Sequence, residues 1–176
     1  MNLTAMNAFL SETNIKKHLE YLKNLRLKYS ILIKSIPELC EKEIYELPRL
    51  NIDRQAKQEA ISLLWEIKSH ELFFNSFIGD NLEHRERLYR KTSIDRLIYD
   101  IFSFAKDKCN CFIYCYNDER KCLKLKHSNV YDGAFIKYNP VLCIDLYEHC
   151  YFNDYGFKKE SYLRSMLSWL DIYKLS

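Results

Sequence analysis

The sequence predicts an α+β protein: an N-terminal antiparallel helical hairpin, then an α/β domain with a three-stranded antiparallel sheet. Three observations predict it. Apolar residues recur at helical spacing between Ser11 and Asn75, the spacing changes to the alternation of strands beyond about residue 108, and turn residues separate the strands. The 176 residues, 48% of them hydrophobic, suffice to bury a core. Three Gly and three Pro with no biased tract exclude collagen-like, low-complexity and mainly disordered chains.

Over residues 11–36, Ile15, Leu19, Leu22, Leu25, Tyr29 and Ile33 fall on one stripe, Ser11 is placed to cap the start, and Pro37 stops the helix. Over residues 53–75, Ala60, Leu63, Leu64, Ile67 and Phe74 repeat the pattern, so two long helices are expected to pack antiparallel. Gly79 and Asp80 open a charged connection, NLEHRERLYRK, and a third helix is expected over residues 93–106 on Leu97, Ile98, Ile101 and Phe104. CFIYCY, the turn-like NDER and KCLKLK read as a hairpin, and VLCID, after Pro140, as a third strand. The tail from residue 146 to 176 returns to helix. A helical hairpin domain over 1–80 and an α+β domain over 81–176 follow, with no internal repeat.

No stretch approaches the roughly 20 apolar residues of a membrane-spanning helix, and MNLTAMNAFLSETNIKKHLEYL lacks the order of a secretory signal. A cytoplasmic protein is expected, with the mitochondrion as the alternative and no membrane partner. Seven cysteines, an odd number, fit reduced thiols. A zinc site from Cys109, Cys111, Cys115 and Cys122 is disfavoured because their spacing lacks paired C-x2-C. The net charge of +3, with Lys and Arg interleaved among Asp and Glu, calls for no nucleic acid but would not repel a small anion.

Four residues carry the candidate chemistry. His18 lies on the apolar stripe of the first helix between Ile15 and Leu22, and His70 on that of the second between Ile67 and Phe74. A single inward histidine is ordinarily a core residue with one satisfied hydrogen bond, but two facing each other across a hairpin suggest a shared ligand. Asp145 and His149 lie four residues apart where an apolar strand ends, and could converge on the same point. Three neutral imidazoles and one carboxylate suit iron or manganese better than structural zinc, which more often takes cysteine. His84, in the charged connection, and His127, near the end of the hairpin, read as ordinary surface residues.

The segment NPVLCIDLYEHCYFNDYGFKKESYLRSMLSW resembles the C-terminal signature of the iron/manganese superoxide dismutase family: a strand, then Asp-x-Trp-Glu-His-Ala-Tyr-Tyr, Asp-Tyr, and a helix with a late Trp. SHELFFNSF resembles the family's Asn-His-x-Phe-Tyr-Trp-Asn, LSETNIKKH its first-helix lead-in, and FIYCYNDERKCLKLKHSN its Trp-x-Trp-Leu hairpin. The resemblance implies that family's fold with the metal between the two domains. It also implies one iron or manganese per chain on His18, His70, Asp145 and His149, and superoxide as substrate. Glu148 would bridge to a partner in a homodimer. Iron and manganese are not distinguished, since the same ligands serve both.

Departures from the family pattern bear on activity. The histidine four residues and the gateway tyrosine eight residues after the first ligand are Leu22 and Arg26 here; Tyr21 and Tyr29, three and eleven residues from His18, take the gateway role by neither spacing. The glutamine four residues before the second ligand is Glu66, the hairpin tryptophans are Phe112 and Tyr114, and the tryptophan before Glu148 is Tyr147. Groups that touch ligands set a metal's potential and the proton affinity of its bound water. Glu66, Arg26 and Tyr147 are therefore the candidates for tuning or substrate attraction. The expected activity is superoxide dismutation. The alternative is a weak or inactive relative, kept as a metal-binding protein or as a scaffold, as occurs among mitochondrial ribosomal proteins.

Overall fold

The computed structural model describes residues 3–78, 92–120 and 122–175; the charged connection with His84 lies outside the described residues. It opens on a short helix, α1 (Leu3–Asn7), which the sequence reading did not anticipate, since five residues are too few for a period to show. Helix α2 (Glu12–Ser35) starts where Ser11 accepts from the Asn14 N–H at 3.2 Å. It carries Glu12 in its first turn and Lys34 in its last, both favourable to the helix dipole. Pro37 then opens a 3-10 turn (Pro37–Leu39), and Ile36 before it has left the helical region (φ −137°, ψ 83°), which a following proline disfavours. A second 3-10 turn (Leu47–Arg49) leads to α3 (Arg54–Phe74), capped by Asp53, whose Oδ1 accepts from the N–H groups of Gln55 and Ala56 at 2.8 and 3.0 Å.

Helix α4 (Thr92–Ala105) leads into β1 (Phe112–Asn117) and β2 (Leu123–Ser128). Asp118 Oδ1 closes their turn by accepting from the N–H groups of Arg120 and Cys122, both at 2.9 Å. A four-residue helix, α5 (Ala134–Lys137), precedes β3 (Leu142–Asp145). The sheet order is β2-β1-β3, all antiparallel, with Phe112 opposite both Ser128 and Asp145. The middle strand is therefore β1, and its first four residues are buried. The chain closes with α6 (Glu148–Tyr155), α7 (Lys159–Leu167) and a 3-10 turn (Ile172–Leu175). Gly156, at φ 53°, ends α6 in a conformation that a side chain would strain.

The protein is α+β, with a helical N-terminal region and a three-stranded antiparallel sheet in its C-terminal part. Two seams join the helical pair to the rest. At the foot of α3, the Ser76 hydroxyl accepts from the Cys143 N–H at 2.8 Å, Phe77 bridges Leu170, and the Asp171 N–H donates to the Ser76 carbonyl at 2.8 Å. At the start of α2, the buried Asn14 amide donates to the Cys150 carbonyl at 2.7 Å and to Asp154 Oδ2 at 3.1 Å. The aromatic residues Tyr114, Tyr162, Phe73 and Phe112 fill the space between helices and sheet. All seven cysteines are free thiols; within the hairpin set Cys111 and Cys115 are buried while Cys109 and Cys122 are exposed. Among the described residues no helix is long and apolar enough to cross a membrane.

Candidate metal centre

His18 and His70 face each other because each sits on the buried stripe of its helix, and the stripes of α2 and α3 pack together. Asp145 ends the buried strand β3, and His149 lies in the first turn of α6, so the short link through Leu146 and Tyr147 turns both toward the helix pair. One ligand atom from each of the four lies within 4.8 Å of every other. From Asp145 Oδ2 the distances are 3.3 Å to His18 Nε2, 3.5 Å to His70 Nε2 and 3.6 Å to His149 Nε2. His70 Nε2 and His149 Nε2 are 3.2 Å apart.

The arrangement suits a cation better than a hydrogen-bond network. His18 Nε2 and Asp145 Oδ2 are close yet misaligned for a hydrogen bond, and both are buried with no other partner. Orphaned buried polar atoms are costly, and one ion at their common point would satisfy them together. Separations of this size match the edges of a polyhedron around an ion with bonds of roughly 2 Å. The backbone prepares the donors. His70 Nδ1 donates to the Glu66 carbonyl at 2.8 Å, which leaves Nε2 with its lone pair toward the centre. Asp145 Oδ1 accepts from the Tyr147 N–H at 2.8 Å, which leaves Oδ2 for the centre.

Protonation follows from the same contacts. Burial alone would push the Asp145 carboxyl up, but the His149 and His18 imidazoles more than reverse this and hold it well below the usual carboxylate range. Burial pulls His70 down to about 4, so it is a neutral donor at neutral pH. For His149 burial is outweighed by the adjacent Asp145 carboxylate, with Glu66 adding, and the imidazole is raised. Apolar rings line the rest: His18 lies 4.9 Å from Phe74 and 5.3 Å from Phe73, and His70 lies 5.1 Å from Phe112.

Residues 94–175 match the family described as iron/manganese superoxide dismutases, C-terminal domain. That stretch is thus a C-terminal domain of the iron/manganese superoxide dismutase type. No curated protein matches the sequence. The matched stretch includes the sheet, Asp145 and His149, and the observed α+β architecture is that of the superoxide dismutase fold. His18 and His70 lie outside it and reach the same point through the packing of α2 and α3. The cluster of three histidines and an aspartate, three of them buried, is a candidate metal site on which the matched domain and the geometry agree.

The other sequence candidates lie at varying distances from this cluster. The Tyr147 ring stacks on His149 at 5.7 Å, and burial, with Asp145 adding, pushes its hydroxyl up to about 12. Glu66, one turn before His70, accepts from the Tyr21 hydroxyl at 2.5 Å. Arg26 pairs with Glu71 at 2.8 Å with more than half of its side chain exposed, and is not among the residues gathered at the centre. Glu148 is exposed at the start of α6. His127, on β2 opposite Ile113, is exposed and lies 6.2 Å from Phe104.

Tyr21 is the residue that spacing against the superoxide dismutase pattern passed over. Its ring lies 4.7 Å from that of His149 and 5.4 Å from that of His70. A signal for it exists in the sequence. In antiparallel helices, the position three after His18 and the position four before His70 lie one turn from a ligand at the same end of the pair. Asn14, one turn before His18 and fully buried, was also missed; it ties α2 to the helix that carries His149.

Proposed function

We propose that the protein is a superoxide dismutase with one iron or manganese held by His18, His70, Asp145 and His149. The observation that carries the proposal is the convergence of these four side chains, three of them fully shielded from solvent, with orphaned donor atoms facing one another. Three neutral imidazoles and one carboxylate suit either metal. When bound, the ion supplies a one-electron couple through which two superoxide ions and two protons become one dioxygen and one hydrogen peroxide.

The chain's part is to hold, dry and feed the site. Asp145 contributes the single negative charge among the ligands, which favours the more oxidised ion, and the Tyr147 N–H keeps that carboxylate from rotating. Phe73, Phe74 and Phe112 exclude water on the inner side. His149, with 32% of its side chain exposed, marks the side on which a small molecule arrives. There the Tyr21 hydroxyl, which burial and Glu66 keep protonated, holds a proton on Glu66 Oε1 next to the imidazoles of His70 and His149. Glu148 is free on the surface for contact with a second copy, as a homodimer requires.

A second reading, a protein that binds the metal but turns over slowly, is favoured by one observation: a carboxylate, not a neutral group, adjoins the exposed side of the centre. Elemental analysis of protein produced with iron or manganese, together with superoxide consumption on the same samples, tests both. About one ion per chain with fast turnover supports the dismutase, bound metal without turnover supports the second reading, and absence of both metals overturns each.

A further inference from the structure

We infer that a cleft at the far end of the sheet binds a small phosphorylated molecule that carries an aromatic ring, of the nucleoside phosphate kind. The cleft has a volume of about 420 Å3 and lies between the β1–β2 turn and the end of α5. Pockets that hold organic ligands span roughly 300–1,000 Å3, so this one takes more than a bare phosphate ion. It is remote from the candidate metal centre. Asp145 stands opposite Phe112 at one end of β1, while Tyr116 lies four residues further along, a strand length of about 13 Å. The Asn117 amide donates to the Leu175 carbonyl at 2.7 Å and ties this end of β1 to the C-terminal turn.

The cleft combines uncommitted cations with an aromatic wall. Arg120, Lys124 and Lys137 all line it. Lys124 pairs with Asp118 at 3.4 Å, whereas among the described residues Arg120 and Lys137 pair with no carboxylate. The Asp118 carboxylate is satisfied within the turn, since its Oδ1 accepts from the Arg120 and Cys122 N–H groups at 2.9 Å and its Oδ2 faces Lys124. Glu119, exposed on the turn, is then the one opposing charge. The wall is Tyr138 stacked on Tyr116 at 4.7 Å, with the Lys137 ammonium 5.2 Å from the Tyr138 ring and that of Lys126 4.9 Å from it. The sign of the local potential shows in the Tyr138 hydroxyl, which the adjacent Lys137, with Lys126 adding, holds below its ordinary value. A phosphate group matches the Arg120 fork and the Lys137 point charge, and a flat ring matches the tyrosine pair. Inorganic phosphate would leave that wall uncovered, and a neutral nucleoside would leave both cations unpaired.

The test is calorimetric titration of the full chain with ADP, CDP, adenosine and inorganic diphosphate, without divalent cations, at low and at high salt. ADP or CDP is expected to bind at about one per chain at low salt, at least about tenfold tighter than adenosine or diphosphate, and to weaken as salt rises. Arg120→Ala with Lys137→Ala weakens the nucleotide by at least about tenfold. Lys23→Ala with Lys28→Ala removes the same charge from exposed positions on α2 and changes the affinity by less than about twofold. Tyr138→Ala weakens the nucleotide about fivefold and leaves diphosphate within about twofold. Glu119→Gln tightens the nucleotide by about twofold. Binding of neither nucleotide at low salt, equal weakening by the two lysine and arginine pairs of substitutions, or diphosphate bound as tightly as the nucleotides overturns the inference. The metal-centre reading is untouched by each of these results, because no residue of the cleft belongs to that cluster.

Discussion

The Tyr147 backbone N–H holds Asp145 Oδ1 at 2.8 Å, and this one contact aims the other carboxylate oxygen at three imidazoles. Asp145→Asn removes the only charge among the four ligands and puts an amide NH2 or a weaker carbonyl donor in its place. Metal content is expected to fall from about one ion per chain to less than a tenth, with far-ultraviolet circular dichroism unchanged. Full occupancy in the variant would mean that Asp145 is not a ligand.

Asn14 gives a prediction about the frame of the centre and not its chemistry. Its amide holds the Cys150 carbonyl and Asp154 Oδ2 from one turn before His18, in a fully buried position. Asn14→Ala leaves the Cys150 carbonyl without that donor, at a cost of about 1–3 kcal/mol. Urea unfolding of the metal-free protein reads the loss, and a change under about 0.5 kcal/mol would remove the seam from the account of stability.

Behind the centre, the buried Tyr162 hydroxyl donates to the Asp145 carbonyl at 3.0 Å and lies 3.2 Å from Cys150 Sγ. Tyr162→Phe keeps the ring stacked on Tyr151 at 4.9 Å and removes only these polar contacts. We expect a loss of about 1–2 kcal/mol in thermal unfolding. A neutral result would mean that water takes the place of the hydroxyl.

For the metal-free protein, pH acts in opposite senses through two ligands. His70 is held at about 4, so between its ordinary value and 4 the unfolded chain binds a proton that the folded chain does not. Stability therefore falls as pH drops through that window, by up to about 3 kcal/mol. Asp145, held low, adds to the loss at still lower pH. His149 is raised, so its contribution is present below its ordinary value and disappears as pH rises through its folded value. The stability maximum is expected near the ordinary histidine value of about 6.5, read as the urea midpoint at about pH 4.5, 6.5 and 8.5. Midpoints that climb steadily across the three would contradict it.

Local chemistry made much of this legible in advance. The caps Ser11 and Asp53, the stop before Pro37, the apolar run of β1 and the alternation of β2 are signals within a few residues of the boundary they set. The motif around Asp145 and His149 was readable for the same reason, since four residues fix their relation. Helices α1 and α5, of five and four residues, escaped because they are shorter than the period that would reveal them.

By itself the sequence determined which face of each long helix is buried, and hence that His18 and His70 point inward, because 3.6-residue periodicity is a property of one segment. The tertiary structure alone decided that Tyr21, not Arg26, meets Glu66. That choice depends on the axial offset and rotation of one helix against the other, which are set by contacts between residues far apart in the chain. Spacing along either helix does not contain them.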